Sequence, residues 1–371
     1  MSDMRSILVD TASRLFADLC TTEAFNQAEQ GVLDGRAWNL LEQAGLTRAT
    51  VPEAVGGDGS DLGDALMLVR AAGSFALPLP LVDTLLAQRV LAAAGLPAQV
   101  GVGSVAPVTL PSRRKGAAQA GAVLATRDGK YFLSGTVLRV PAARYAQFVA
   151  VITKVDDSFA TVLVSGAGLR AALTRQDVNW ANEPRDTLVF RDLAIAPEHI
   201  GKTGQGMNVE DLRFEGALFR LAAMSGAMGS VLQLAVQYAK DRVQFGKPIA
   251  QYQAIQHGLA VLATQVAAAN AAADAAIDAA SRGPARFEIA AAKARIGEAA
   301  HIANGIAHQV HGAMGFTHEH PLHRSSRRLW AWRDEFGSEG EWAEWVGRAA
   351  VRLGGDGLWP FLTALDKQLP G

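Results

Sequence analysis

Hydrophobic and polar positions follow three different rhythms along this chain. From Ser6 to about Ala98 apolar residues recur at helical spacing, as in Ile7, Leu8, Ala12, Leu15, Phe16 and Leu19. Turns fall at Pro52 to Asp61 and around Pro78 to Pro80. From about Gly101 to Pro197 the apolar runs become short and β-prone: AVLAT, KYFLSGTVLRV, YAQFVAVITKV, FATVLVSG and DTLVFRDLAI, divided by turn signals such as RDGK and VDDS. From Glu210 helical spacing returns in long segments, Gly216 to Asp241, Gln253 to Ser281 and Ala285 to Gly312, with SRGP as the break between the last two.

The expected architecture is therefore α+β and multidomain: an N-terminal helical domain (1–100), a small antiparallel β domain (101–200) and a C-terminal helical bundle (201–371). The alanines of Ala260 to Ala303 suit closely packed helices. Gly258 to Ala280 is the most apolar long stretch, but Gln265, Asn270, Asp274 and Asp278 interrupt it, and no membrane span is expected.

Composition changes the picture mainly by exclusion. A chain of 371 residues, 49% hydrophobic and 19% charged, can bury a large core or several smaller ones. With 35 basic and 36 acidic residues it has no bulk field for nucleic acid or an anionic membrane, so any bound anion must be met by local groups. Cys20 is the single cysteine and MSDMRSILVD lacks the apolar run of a signal peptide, which makes the cytoplasm the expected location.

Generic site motifs are few. GGDGSDLG carries Asp58 and Asp61 among its glycines and no strand precedes it, so a turn is expected there and not a phosphate cradle. Six of the eight histidines lie between His301 and His323; no pairing on one helix face with an acidic third ligand can be identified, and no metal is expected. Two stretches are more informative. In AKDRVQFGKPIAQYQAIQHGLA, Arg242 ends a long helix before a Phe-Gly turn, placed either to pair an anion in a bidentate fork or simply to complement the helix dipole. In HQVHGAMGFTHEHPLHRSSRR, Gln309 precedes glycines 312 and 315, which let a backbone approach something closely or simply stop the helix.

Together these stretches resemble the acyl-CoA dehydrogenase family. The resemblance covers most of the chain: the α, β, α order, PEAVGG at 52–57, DGKYFLSGTVLRV, RVQFGKPIAQYQAIQ and QVHGAMGF. It implies flavin-dependent α,β-dehydrogenation of an acyl-CoA thioester, with FAD bound between subunits and an electron-transfer flavoprotein as reoxidant. Arg242 and Phe245 look like the residues that reach the diphosphate and adenine side of a neighbouring subunit's FAD. Gln309 and Gly312 look like adenosine contacts, Ser338 stands where the family has a cofactor-contacting threonine, and Arg220 stands at the substrate.

Three departures stand beside it. Ala313 replaces a second glycine; VGVGSVAPVTLPSRRKGAAQ stands where the family has a Thr-Glu-Pro-x-Ala-Gly-Ser-Asp segment; and Arg139, Val140, Pro141 replace a Trp-Ile-Thr strand at the flavin ring, with Pro141 lacking an N–H. Counted without gaps from Phe316, the family's catalytic Glu-Gly-Thr falls on Phe336, Gly337 and Ser338. Glu335 is one residue early, a shift expected to turn its side chain away unless a bulge restores the geometry. The family's second base position falls on Phe219. Glu335 is the best candidate base, with Asp334 behind it; the alternative is that both acids pair with Arg327, Arg328 or Arg333. Two functional readings follow: a working flavin enzyme in a homo- or hetero-tetramer, or a non-catalytic partner subunit, of the type that resembles steroid side-chain enzymes, that completes the FAD site of another chain.

Overall fold

The computed structural model describes residues 3–57, 59, 61–106, 121–155 and 158–364, with side chains from residue 6. Asp58, most of the stretch at 101–120 and the centre of VDDS lie outside the described residues. The chain groups into two compact units, Met1–Ala65 with Leu77–Glu215, and Leu66–Ala76 with Gly216–Gly371.

The first unit holds α1 (Asp3–Leu19), α2 (Thr22–Glu29), α3 (Gly35–Gln43), the start of α4 (Leu62–Ser74) and α5 (Leu81–Ala93). Side-chain oxygens open two of these helices. Thr21 accepts from the Ala24 N–H at 3.1 Å, and Asp34 accepts from those of Arg36 and Ala37 at 2.9 and 3.0 Å, satisfying donors that have no intrahelical partner. α5 is buried on nearly all sides, with Leu81, Leu85, Leu86, Val90 and Leu91 at 0–1% exposure, and it packs on the sheet. Thr84 fixes that contact by accepting from the Gly103 N–H at 3.0 Å.

The sheet contains β1 (Gly103–Ala106), β2 (Gly121–Arg127), β3 (Lys130–Pro141), β4 (Phe148–Val155), β5 (Ser158–Ser165), β6 (Leu173–Arg175) and β7 (Arg185–Ile195), with α6 (Gly166–Ala172) between β5 and β6. Its order is β1-β4-β2-β3-β7-β6, with β5 on the other pairing of β4. The expectation of an antiparallel domain needs correction: β1 and β4 pair in parallel, and β2 meets β4 in parallel at Val123 and Lys154, so the sheet is mixed. Turn residues specify the β2–β3 hairpin, where Asp128 and Gly129 adopt φ of +51° and +72°, but nothing local specifies how one hairpin abuts the next. Leu133, Val137, Val149, Val151, Val162, Val164, Leu188 and Phe190 form the core of this layer. Short elements β1, α6 and β6 went unread because three to seven residues carry too little periodicity.

The second unit holds the rest of α4, most of α7 (Val209–Asp241), then α8 (Gln253–Arg282), α9 (Arg286–His311), α10 (Leu322–Asp334) and α11 (Glu339–Thr363). α9 packs against α8, α10 and α11. α4 and α7 cross with backbone against backbone: a Cβ on Gly73 would lie 2.0 Å from the Ala223 carbonyl oxygen, and one on Gly226 would lie 2.0 Å from that of Arg70. Arg70 spans the crossing, donating from Nε to Ser225 Oγ at 2.9 Å and pairing with Asp274 at 2.6 Å. Both α7 and α8 are long and apolar enough to cross a membrane; the apolar window of α7 is 67% buried within the fold and that of α8 only 33%.

Candidate active site

Two groups of candidate residues lie in the second unit. The inner group is built on the connection from α10 to α11. α10 ends at Asp334, and Glu335 leaves the helix with extended backbone (φ −71°, ψ 137°). Phe336 then adopts φ +55° and Gly337 φ +111°. A left-handed conformation for a bulky aromatic residue costs roughly 1–2 kcal/mol and persists where its surroundings hold it. Here the surroundings are visible. The Phe336 ring covers Gly216 of α7, where an added Cβ would come within 2.2 Å of it. Ser338 then starts α11 with a reciprocal cap, its N–H donating to Glu341 Oε2 at 2.9 Å.

This turn changes what the ungapped count implied. The left-handed residue breaks the helical progression, so the side chains of both Glu335 and Phe336 face α7. Phe336 lies on Gly216, and Glu335 reaches one turn further, accepting from Arg220 Nε at 2.6 Å. Arg220 is 2% exposed, and its guanidinium lies 5.9 Å from each of the Trp332 and Phe336 ring centroids. The Glu335 side chain is 15% exposed. Arg220 is thus a partner of Glu335 that the alternative did not name; Arg333 pairs with Glu339, an interaction that lowers the Glu339 pKa and raises that of Arg333. Asp334 is exposed on the last turn of α10, and Phe219 is sealed in the core at 0%.

Two members of this arrangement escaped sequence reasoning. Gly216 could have been suspected only with the partner ring known. Lys293, fully buried on α9, donates from Nζ to the carbonyls of Arg333 at 2.7 Å and Gly337 at 2.9 Å. A lysine at an apolar-phase position of the alanine-rich run AAAKARIG, which also carries Arg295, was the signal available for it.

The outer group is exposed. Arg242 follows α7, and its carbonyl accepts from the Ile249 N–H at 2.8 Å, closing a hairpin whose two-residue strands are β8 (Val243–Gln244) and β9 (Lys247–Pro248). Phe245 stands at the tip with φ +51° and 93% exposure, edge-on to Tyr252, over which Lys247 Nζ lies at 4.4 Å. Gln309 is exposed on the last turn of α9, and Gly312 ends that helix with φ +58° and open space where a Cβ would point. Beneath them His311 stacks on Tyr238 at 4.5 Å and meets His320 at 4.4 Å, while His308 stacks on Phe316 at 4.5 Å. Burial holds the pKa values of His308, His311 and His320 below the usual imidazole value. The 22-residue step from Arg220 to Arg242 along α7 spans about 33 Å, so these two arginines of one chain are too far apart to serve one reacting centre.

In the first unit, β3 ends in Arg139, exposed at φ +60°, and in Val140 and Pro141, both buried. The Pro141 carbonyl accepts from Ser104 Oγ, and Val140 pairs with Asp186 in the ladder to β7.

Residues 204–339 match the family model described as the acyl-CoA dehydrogenase C-terminal domain, a span that contains both groups in the second unit. The chain is similar to the acyl-CoA dehydrogenase IpdE2 of Mycolicibacterium smegmatis, 30% identical over 327 residues that cover 87% of this chain and 91% of that one. Among solved structures it is similar in fold to the ChsE4-ChsE5 complex from Mycobacterium tuberculosis (TM-score 0.83, 22% identity, 94% and 97% of the two chains). It is also similar to butyryl-CoA dehydrogenase from Megasphaera elsdenii (TM-score 0.81, 20% identity, 95% and 99%). The chain belongs to the acyl-CoA dehydrogenase family and is an oxidoreductase.

Proposed function

We propose that this protein carries out FAD-dependent α,β-dehydrogenation of an acyl-CoA thioester, with Glu335 as the base, as one subunit of an oligomer. The observation that carries the reading is the Glu335 carboxylate, 15% exposed and held at 2.6 Å from buried Arg220 on a turn fixed at both ends. A carboxylate so held is preoriented to take the α-proton on Oε, and Arg220 positions it and borders the thioester. Bound FAD would supply the acceptor for the β-hydride, and an electron-transfer flavoprotein would be its reoxidant.

The donor set fits half of that cofactor well. An exposed guanidinium at Arg242, an exposed aromatic ring at Phe245, the Gln309 amide and the open backbone at Gly312 suit a diphosphate and adenosine presented by a neighbouring chain. Ser338 gives its N–H and its hydroxyl to Glu341 and its carbonyl to the Trp342 N–H, so it would contact the cofactor only from within the α11 cap. The exposed apolar face of α8, with its window 33% buried, supports a homo- or hetero-tetramer with a related dehydrogenase subunit; a cytoplasmic location and lipid or steroid side-chain substrates complete the proposal. The domain limits 1–100, 101–200 and 201–371 are proposed as units of the sequence.

One observation favours the second reading, a non-catalytic partner subunit that completes the FAD site of another chain. At the end of β3, Pro141 has no N–H and its carbonyl is taken by Ser104, so this strand offers fewer groups to a flavin ring. The test is to purify the chain alone, record its visible spectrum and native mass, and add butyryl-CoA, octanoyl-CoA and a steroid side-chain CoA ester anaerobically. A yellow oligomer bleached by one of these esters is expected. A colourless chain that gains flavin only with a related subunit supports the partner role instead.

A further inference from the structure

Lys293 has no part in the chemistry just described, yet it is 0% exposed and both of its hydrogen bonds end on the Glu335 turn. Its two acceptors lie on either side of that residue. The Arg333 carbonyl belongs to the last turn of α10, where carbonyls lack intrahelical donors, and the Gly337 carbonyl follows the left-handed Phe336. We propose that Lys293 is the positioning residue of this turn: its ammonium ties the two carbonyls together and so holds the Glu335 carboxylate against Arg220. The proposal deepens the reading of Glu335 as base and rests on it.

The site is costly for an ammonium, which is why its hydrogen bonds matter. Charged groups face it from every side: Glu335 on the turn, Asp334 on α10, Glu339 on α11 and Arg220 on α7. Burial pushes the Lys293 pKa down to about 7, opposed by the three carboxylates and assisted by Arg220. Loss of the proton leaves two N–H donors, but turns charge-assisted bonds into neutral ones of roughly half the strength. The sign of the stability change is opposite. A folded pKa below the free value of 10.5 means that the unfolded chain binds more protons between about 7 and 10.5, so the lysine's contribution to stability rises with pH across that window. The turn should therefore loosen while the molecule as a whole does not, a combination that a merely structural lysine does not produce.

The experiment is hydrogen exchange of peptides spanning 333–338 in the purified protein, corrected for intrinsic rates, at about pH 6 and about pH 9, with melting temperatures alongside. Lys293→Met is compared with wild type and with Arg295→Met on the same helix. Lys293→Met should exchange roughly tenfold faster over 333–338 at the lower pH, as expected for loss of charged hydrogen bonds, while Arg295→Met follows wild type. Wild type should approach Lys293→Met at the higher pH without a fall in melting temperature. On butyryl-CoA, kcat should drop about tenfold in Lys293→Met with KM unchanged, and the wild-type rate should decline above neutrality. Equal protection of 333–338 in wild type and variant overturns the proposal. If the variant does not fold, unchanged wild-type protection between the two pH values overturns it alone. The expected exchange pattern with no turnover on any acyl-CoA supports the tie and overturns the catalytic reading of Glu335.

Discussion

The hairpin from Arg242 to Lys247 and the turn from Asp334 to Ser338 both join helices of the second unit, and they are built in opposite ways. The hairpin gives its side chains to solvent. Phe245 is 93% exposed, and the loop is held by its short ladder, the Ile249 bond to Arg242, the Tyr252 hydroxyl donating to the Gln244 carbonyl at 3.0 Å and the Tyr252 ring beside Phe245 and Lys247. The turn draws its side chains inward. Arg220, Lys293, the Arg333–Glu339 pair, the Ser338 cap and the Phe336 ring on Gly216 all bear on five residues. Under the proposed function the difference divides the work: groups offered to another molecule can be ordered when it arrives, whereas a group that must meet a proton needs its geometry fixed beforehand.

The strongest way to break this comparison is Glu335→Gln. The amide nearly matches the carboxylate in size and still accepts from Arg220, but it cannot take a proton. Acyl-CoA-dependent bleaching should fall by about 10²- to 10⁴-fold while FAD content and native mass stay unchanged. Full activity in this variant, lost instead when a related subunit's base is changed, moves the chemistry to that subunit.

Arg242→Ala should show the opposite phenotype. FAD retention should weaken by roughly 10- to 100-fold, as for a lost charge-assisted hydrogen bond, with melting behaviour of the flavin-free protein unchanged. Arg282→Ala, which removes another arginine of the same unit that pairs with Asp278, is the control. Equal flavin content in the two variants rejects the assignment of Arg242.

The smallest effect concerns acid. His308, His311 and His320 are held below the usual imidazole pKa of 6.5 by burial, so the unfolded chain binds more protons as pH falls through that value. The stability they contribute is fully present above about pH 6.5 and is lost below it. Replacing His311 by Phe, which keeps the stack on Tyr238, should reduce the acid-induced drop in melting temperature by a few degrees. A steeper drop in the variant points to a structural role for the imidazole beyond stacking.

Long periodic segments were legible in the sequence because their signal is local. α7, α8 and α9 begin and end within a few residues of the expected limits, except that α7 starts at Val209, where a polar first turn hides the period. The five long strands were equally plain. The mixed pairing of the sheet was not, since hairpin turns fix only neighbouring strands. At the turn between α10 and α11, sequence spacing located Glu335 and Phe336 next to each other but could not say which way either pointed.

What the sequence determined by itself was the alternation of helix and strand, the family, and the residue types available for chemistry, because periodicity, turn residues and motif spacing are properties of neighbours along the chain. What only the tertiary structure decided was the use of those residues. A left-handed backbone at Phe336 turned two adjacent side chains onto α7, and a lysine 42 positions before Glu335 became a support of the same turn. Both depend on helices far apart in the chain meeting at one place, and burial and hydrogen-bond partners exist only once they have met.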